Sequence, residues 1–428
     1  MQQYTGLIGI VALLVIAALF SKARRRINAR IVIGGLLLQF AIAGLLLKVP
    51  GAVYVFDRFA RGVTKVISFA DAGTEFIFGK AADAGGPWGF VFAIKVLPVI
   101  IFFASFMAVL YHFGIMQRVV AGFAWVMRRT MGVTGAESLS AAANIFVGQT
   151  EAPLCIRPYL ATMTRSQIMA VMTGGFATIA GSVMAAYVLQ LGGDDPAART
   201  LFAKHLITAS VISAPAGFVF AKVMLPEIQE PREETVKSLL EEERTTSNVV
   251  DAAATGASDG LRLALNVAAM LVAFVSLIAL LNWPLTALSE WEPVAAWRAE
   301  HGLPVFSFQN ILGTILMPLG WCMGAPWAES RAMGSLLGTQ VIATEFVAYL
   351  NLADLKNAGT MSPRTAQIAT YALCGFANLP SIAIQIGGLS ALAPGRRVDF
   401  VKIGPRAMVA GAFACWTTAC VASVFIPV

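Results

Sequence analysis

Eight stretches of this chain, about 5–21, 32–49, 89–112, 167–190, 204–225, 261–283, 366–391 and 404–427, are apolar. Each approaches or exceeds the roughly 20 residues with which a helix crosses about 30 Å of hydrocarbon. Only 13% of the 428 residues are charged, against about 25% in an ordinary soluble domain, so a water-facing surface cannot be built around so many runs. The 38 glycines and 19 prolines suit the alternative, because both are commoner inside membrane helices than in water. The sequence predicts an all-α multi-pass membrane protein with eight transmembrane helices, and excludes secreted, cytosolic and fibrous classes.

Charge then orients the crossings. The first run has no basic residues before it and the cluster Lys22, Arg24, Arg25, Arg26 and Arg30 after it. That is the reverse of a cleavable leader, and it holds the loop in the cytoplasm with the N-terminus outside. Eight crossings return the C-terminus outside, and Arg396, Arg397, Lys402 and Arg406 before the last one fall on the cytoplasmic side, as the rule requires. The net charge of +7 is therefore topological, suited to anionic lipid in a cell inner membrane and not to nucleic acid. The five cysteines lie in apolar stretches without CxxC spacing, so they read as packing or lipid-facing residues.

Three apolar segments fit no simple crossing. Residues 53–85 mix Arg58, Arg61, Lys65, Asp71 and Glu75 with aromatics, as in an interfacial helix. Residues 138–161, interrupted at Gly148 and Pro153, and 309–350, interrupted at Gly320, Gly324 and Pro326, read as two re-entrant helical hairpins. Backbone broken at membrane depth is tolerated where it lines a cavity or is buried in protein, which makes these the working parts. By parity they enter from opposite sides. Each is followed by a crossing with a Gly-Phe-Ala element, Gly175–Ala177 and Gly375–Ala377, which together suggest an inverted repeat around a site near the midplane. The expected organisation is 1–88 scaffold, 89–225 first repeat, 226–260 cytoplasmic acidic linker and 261–428 second repeat. The linker holds Glu227, Glu230, Glu233, Glu234, Glu241, Glu242, Glu243, Asp251 and Asp259.

Two carboxylates, Glu151 and Glu345, lie within the hairpins, where an ionisable group is a site hypothesis by default. Gly148-Gln149-Thr150-Glu151 sets three hydrogen-bonding side chains beside a helix break, either as a site or as a network tying the hairpin tip to its neighbours. Asn378 and Ser381, spaced i, i+3, would share a helix face, with Pro380 between them loosening the helix; interhelical glue is the other reading. Enzyme motifs fail: there is no HExxH, P-loop or GxSxG elbow. His112, His205 and His301 read as interfacial residues. No cofactor is expected, and transport would be passive or driven by an ion gradient.

At these residues the chain resembles the concentrative nucleoside transporter family. The resemblance runs from about residue 89 to the end through Gly148–Leu154, Arg157–Leu160, Ala180–Val183, Glu345–Tyr349 and Ala372–Asn378. It implies eight spanning helices, two oppositely oriented hairpins, an interfacial helix and a homotrimer in the lipid bilayer. It also implies that Gln149, Thr150, Glu151 and Val183 face a nucleobase, that Glu345, Asn378 and Ser381 bind ribose, and that Phe376 lies beside it. A sodium ion would take the Asn144 side chain, the carbonyls of Val147 and Ile179, and Thr178. The implied function is sodium-coupled symport of ribose nucleosides such as uridine into the cell by alternating access. The chemistry agrees, since a carboxylate can accept from two vicinal hydroxyls at once and a glutamine can both donate to and accept from a base edge. The family's usual Lys and Asn before the second glutamate are Gln340 and Thr344 here, and its small residue between Asn378 and Ser381 is Pro380. Proton coupling through Glu151 or Glu345 is the alternative driving force, and a channel or scaffold protein the alternative class.

Overall fold

The computed structural model describes residues 2–82, 91–231, 246–303 and 305–427. Among these the chain is helical, with no strand. The first half holds α1 (Thr5–Leu19), α2 (Ala29–Lys48), α3 (Pro50–Ser68), α4 (Ala70–Phe78), α5 (Phe92–Lys95), α6 (Leu97–His112), α7 (Ile115–Met131), α8 (Gly135–Asn144), α9 (Arg165–Ala177), α10 (Gly181–Gly192) and α11 (Pro196–Met224). The second holds α12 (Val249–Glu290), α13 (Glu292–Glu300), α14 (Phe308–Cys322), α15 (Trp327–Ile342), α16 (Glu345–Asn357), α17 (Pro363–Ala372), α18 (Leu379–Leu392) and α19 (Arg397–Phe425). Among the described residues six stretches are long and apolar enough to cross a bilayer, and α14 with α15 form a further candidate bent by 118°. The described parts of the eight apolar runs lie in α1, α2, α5–α6, α9–α10, α11, α12, α17–α18 and α19.

The segment expected at the interface is α3 and α4, beginning at Pro50; residues 83–85 lie outside the described residues. Helix α3 buries only Ala60, Thr64 and Ile67, one stripe at i, i+4, i+7, and Lys204 of α11 anchors it through Asp57 at 2.8 Å. Helices α9, α10, most of α11 and most of α19 are buried and form the centre.

Both central spans that carry Gly-Phe-Ala are broken there, and the breaks cross. Between α9 and α10 the backbone is extended at Thr178; between α17 and α18 it is non-helical up to Asn378. Main-chain groups at the breaks pair with one another and with neighbouring segments. The Phe376 N–H donates to the Thr178 carbonyl at 3.4 Å and the Gly181 N–H to the Phe146 carbonyl at 2.9 Å. Gln340 Nε2 donates to the Gly375 carbonyl at 3.2 Å. Gly375 is what lets the chains approach, since a Cβ there would stand 2.6 Å from the Phe176 carbonyl oxygen.

The ends of the bundle are bolted by polar clusters. Thr134-x-x-Glu137 and Thr164-x-x-Gln167 are capping boxes that start α8 and α9. Gln167 Nε2 donates to Thr134 Oγ1 at 3.2 Å, so the chain leaves along α8 and comes back to the same end before α9. Arg396 reaches this end through the Ala161 and Met163 carbonyls. At the other end of α19, Arg364 donates to the carbonyls of Gly324 and Ser423, and Ser362 Oγ to Glu329 at 2.9 Å. Thus α15 and α16 leave from and return to that opposite end.

Several expectations need adjustment. In the second hairpin Gly324 and Pro326 separate α14 from α15, and the chain turns back at Ala343–Thr344, where Thr344 caps α16. Within the stretch 309–350 the chain thus breaks twice, once between α14 and α15 and once between α15 and α16. Helix α12 is continuous from Val249, so the boundary at 260 falls inside a helix, and Glu233, Glu234, Glu241, Glu242 and Glu243 lie outside the described residues. His205 is buried within α11 and bonded to the Tyr371 hydroxyl at 2.8 Å, because its helix is central and not at an interface. Cys374, Cys415 and Cys420 are buried packing residues.

Glu137 and Lys222 pair at 2.5 Å with side chains 2% and 5% exposed, and Ser166 accepts from the same ammonium at 3.1 Å. Lys222→Met should therefore destabilise the protein by about 3–5 kcal/mol, since a buried carboxylate loses its countercharge. Adding Glu137→Gln, which removes the buried charge and keeps an oxygen to accept from the Thr134 N–H, should restore much of that loss. Thermal unfolding in detergent measures both; a single variant as stable as its parent would sink this reading.

Candidate functional site

The two halves enclose a cavity of about 740 Å³. Gly148–Glu151 enter it from the turn after α8, Val183 from α10, Thr344–Phe346 from the cap of α16, and Phe376, Asn378 and Ser381 from the break before α18. All eight residues expected at a substrate, Gln149, Thr150, Glu151, Val183, Glu345, Phe376, Asn378 and Ser381, line this one space. Helix α12 closes it with Asp259, Arg262 and Asn266, which the sequence reading missed.

Glu345 opens α16, where Thr344 Oγ1 accepts from the Val347 N–H at 3.3 Å. The first turn of a helix suits a carboxylate, because the unpaired N–H groups carry partial positive charge. Tyr187 donates to Glu345 Oε1 at 2.9 Å, and Asn378 Nδ2 to Oε2 at 2.6 Å. Asn378 is not on a helix face with Ser381, as expected; it is the N-cap of α18, and its Oδ1 accepts from the Ser381 N–H at 2.8 Å. That cap fixes the amide, leaving only the nitrogen end for Glu345. Pro380 sits in the first turn, where no N–H is needed, and starts the helix rather than loosening it. Glu345 thus meets two fixed donors and keeps lone pairs for a ligand.

Glu151 opens to the cavity instead of lying buried, and accepts from Thr150 Oγ1 at 3.0 Å. Two further residues were missed. Tyr187 stacks on Tyr349 with centroids 4.2 Å apart, and Gln385 donates to Gln149 Oε1 at 3.0 Å. Tyr187 lies one turn beyond Val183, and Gln385 one turn beyond Ser381, so the i, i+4 spacing was the signal that could have found them.

The residues expected to hold sodium lie around the α9–α10 break. Asn144 is 1% exposed; its Nδ2 donates to the Ser140 carbonyl at 3.0 Å, while Oδ1 has no partner among the described residues. Thr178 donates its proton to the Gly174 carbonyl at 3.0 Å, which leaves the oxygen's lone pairs free. The carbonyls of Val147 and Ile179 accept no described hydrogen bond. A buried, unfilled amide oxygen beside unpaired carbonyls and a hydroxyl fits a hard monovalent cation, which takes oxygen ligands.

Three family models match the chain: Na+ dependent nucleoside transporter N-terminus over residues 8–81, Nucleoside recognition over 93–194, and Na+ dependent nucleoside transporter C-terminus over 205–423. An uncharacterized transporter of Haemophilus influenzae is 42% identical over 100% of this chain and 98% of its own length. Sodium/nucleoside cotransporter 1 of Mus musculus is 38% identical over 100% of this chain, which spans 64% of that protein. The structure of CNTnw in an inward-facing substrate-bound state superposes with a TM-score of 0.88 at 40% identity, covering 99% of this chain and 98% of that one.

Two buried tyrosines separate the energetics of this site. Tyr187→Phe removes a donor to a carboxylate and should cost about 1.5–3 kcal/mol, whereas a neutral bond is worth about 0.5–1.5 kcal/mol. Tyr349 donates to the Thr370 carbonyl at 2.8 Å, so Tyr349→Phe is the neutral comparison. Unfolding of both variants in detergent should show the larger loss for Tyr187; equal losses would argue against a charged Glu345.

Proposed function

This chain belongs to the Na+-dependent nucleoside transporter family, and we propose that it carries ribose nucleosides such as uridine into the cell by sodium-coupled symport. It is a membrane transporter, not an enzyme. The observation that carries the proposal is the chain of bonds Tyr187–Glu345–Asn378–Ser381 along the wall of the cavity. In this reading Glu345 accepts from the vicinal ribose hydroxyls, Asn378 and Ser381 complete the sugar contacts, and Phe376 packs beside the ring. Gln149, Thr150, Glu151 and Val183 take the base. Sodium travels as the second cargo, held by Asn144 Oδ1, Thr178 Oγ1 and the Val147 and Ile179 carbonyls.

In the membrane, α1, α2, α5–α6, α9–α10, α11, α12, α17–α18 and α19 make eight crossings, and α3–α4 lie at the interface. Residues 138–161 and the α15–α16 pair are re-entrant hairpins from opposite faces, related as inverted repeats. Access alternates between the faces as the hairpins and broken helices, which lack continuous helical backbone at the site, change their packing. Two contacts support a cytoplasmic position for the end bearing Thr134: Lys22, of the basic loop, donates its N–H to Met224 at 3.1 Å, and Arg396 binds the same end. Both termini are then outside an inner membrane, with the acidic linker inside. A homotrimer in the bilayer completes the proposal and rests on the family resemblance.

Uptake of labelled uridine into proteoliposomes, in sodium and in choline at fixed pH, tests the proposal. Saturable uptake in sodium alone is expected. Equal uptake in both that follows an imposed pH gradient would substitute a proton for sodium; non-saturating flux would mean a channel, and no flux a scaffold.

Two variants probe the parts. Glu345→Gln should weaken uridine about ten- to a hundred-fold, the equivalent of a charge-assisted bond of about 1.5–3 kcal/mol, and weaken a deoxyribose analogue less; equal losses would remove Glu345 from the sugar. Asn144→Ala should raise the sodium concentration for half-maximal uptake and weaken nucleoside binding in sodium, because linked ligands affect each other reciprocally. An unchanged sodium dependence would remove Asn144 from the ion site.

A further inference from the structure

We propose that Gln385 is a positioning residue that fixes which end of the Gln149 amide faces the cavity, so that the transporter prefers bases presenting an exocyclic carbonyl over those presenting an amino group. The inference rests on the reading of Gln149 as a base contact.

The two ends of a glutamine amide have nearly the same shape and opposite hydrogen-bonding sense, so such a residue discriminates only if its surroundings pin it. Gln385 is 1% exposed, and its Nε2 lies 3.0 Å from the Met172 carbonyl. A carbonyl can only accept, which settles that the nitrogen of Gln385 stands there. The same nitrogen lies 3.0 Å from Gln149, and its second hydrogen must meet an acceptor, so Gln149 turns its Oε1 inward. Gln149 Nε2, without a protein partner among the described residues, is the end left to the cavity that Gln149 lines.

Turning the Gln149 amide around would set two NH2 groups against each other. Turning Gln385 would face its oxygen toward the Met172 carbonyl. The backbone makes room for this meeting at Gly175, where a Cβ would overlap Gln385 Nε2 and stand 2.9 Å from Gln149 Cβ. Gln385 Oε1 is buried without a partner among the described residues, so the residue's bonding lies wholly in the two donors that orient Gln149.

A donor aimed at the base matches the C4 carbonyl of uracil or the C6 carbonyl of hypoxanthine, and opposes the amino groups that cytosine and adenine carry at those atoms. A site built to satisfy one sense of hydrogen bond rejects the other because a buried polar group is left facing its like.

The test is competition for sodium-driven uptake in proteoliposomes by the pairs uridine and cytidine, and inosine and adenosine. In the parent the carbonyl member of each pair should compete at roughly tenfold lower concentration. Gln385→Leu frees Gln149 to present either end, and the ratios should fall to within about twofold. Gln385→Glu in its neutral form donates its one hydroxyl proton to the Met172 carbonyl and leaves only an accepting lone pair for Gln149, which draws the Gln149 nitrogen inward and should reverse the preference. Gly175→Ala keeps both glutamines but separates them, and should behave as Gln385→Leu if the latter fails to fold. Equal weakening of all four nucleosides in the variants, or a parent that prefers cytidine and adenosine, overturns this inference alone. A parent that takes up no nucleoside overturns the proposed function with it.

Discussion

A main-chain N–H or carbonyl in hydrocarbon must find a partner within the protein, because no water is there to supply one. This protein nonetheless breaks two of its central helices, and main-chain groups freed near the breaks find partners in one another and in neighbouring segments. Phe376 bonds to Thr178, Gly181 to Phe146, and Gln340 to Gly375. The approach needs glycine at 375, where a side chain would collide with the opposite backbone. Once the two broken helices are crossed in this way, the non-helical segments that bear Asn378 and precede Val183 are held against one another, and the cavity follows from their geometry.

The polar side chains around that cavity form bonds whose direction is settled step by step. Capping commits the oxygen of Asn378, which commits its nitrogen to Glu345; the Tyr187 hydroxyl takes the other carboxylate oxygen. In a medium of low dielectric such ordered chains are strong when complete and costly when one member is missing. A helix cap, usually a local matter of where a helix begins, here determines which atom faces an acid contributed by a different part of the chain.

Much of this was legible in the sequence, for definite physical reasons. Polar residues inside otherwise apolar segments announce themselves, so Gln149, Thr150, Glu151, Glu345 and Asn378 could be picked out, and all five line the one cavity. Tyr187 and Gln385 were not, because an amphipathic residue in a hydrophobic helix looks like packing until its partner is known. The break between α14 and α15 was visible because Gly324 and Pro326 are strong breakers, while the turn at Ala343–Thr344 was not, because it depends on a threonine cap without glycine or proline. Lys222 gave no local signal at all: its partner Glu137 is recognisable as half of a capping box, but the pairing of the two is made only by the fold.

Helix α12 is 42 residues long, and after Arg262 it carries no Asp, Glu, Lys or Arg until Glu290. That uncharged stretch extends about 40 Å at 1.5 Å per residue, enough to cross a hydrocarbon layer of about 30 Å and reach an interfacial region suited to Asn282 and Trp283. A helix of this length follows changes in bilayer thickness by tilting, at a modest cost per ångström of mismatch. Gly256 and Gly260 seat α12 against α6, with a Cβ at either placed 2.8 Å from the Cα of Ser105 or Ile101, the close approach that small residues four apart allow. The two helices must then lean together. Since Asp259, Arg262 and Asn266 on α12 line the cavity, any change in the tilt of this helix pair would move one wall of the site.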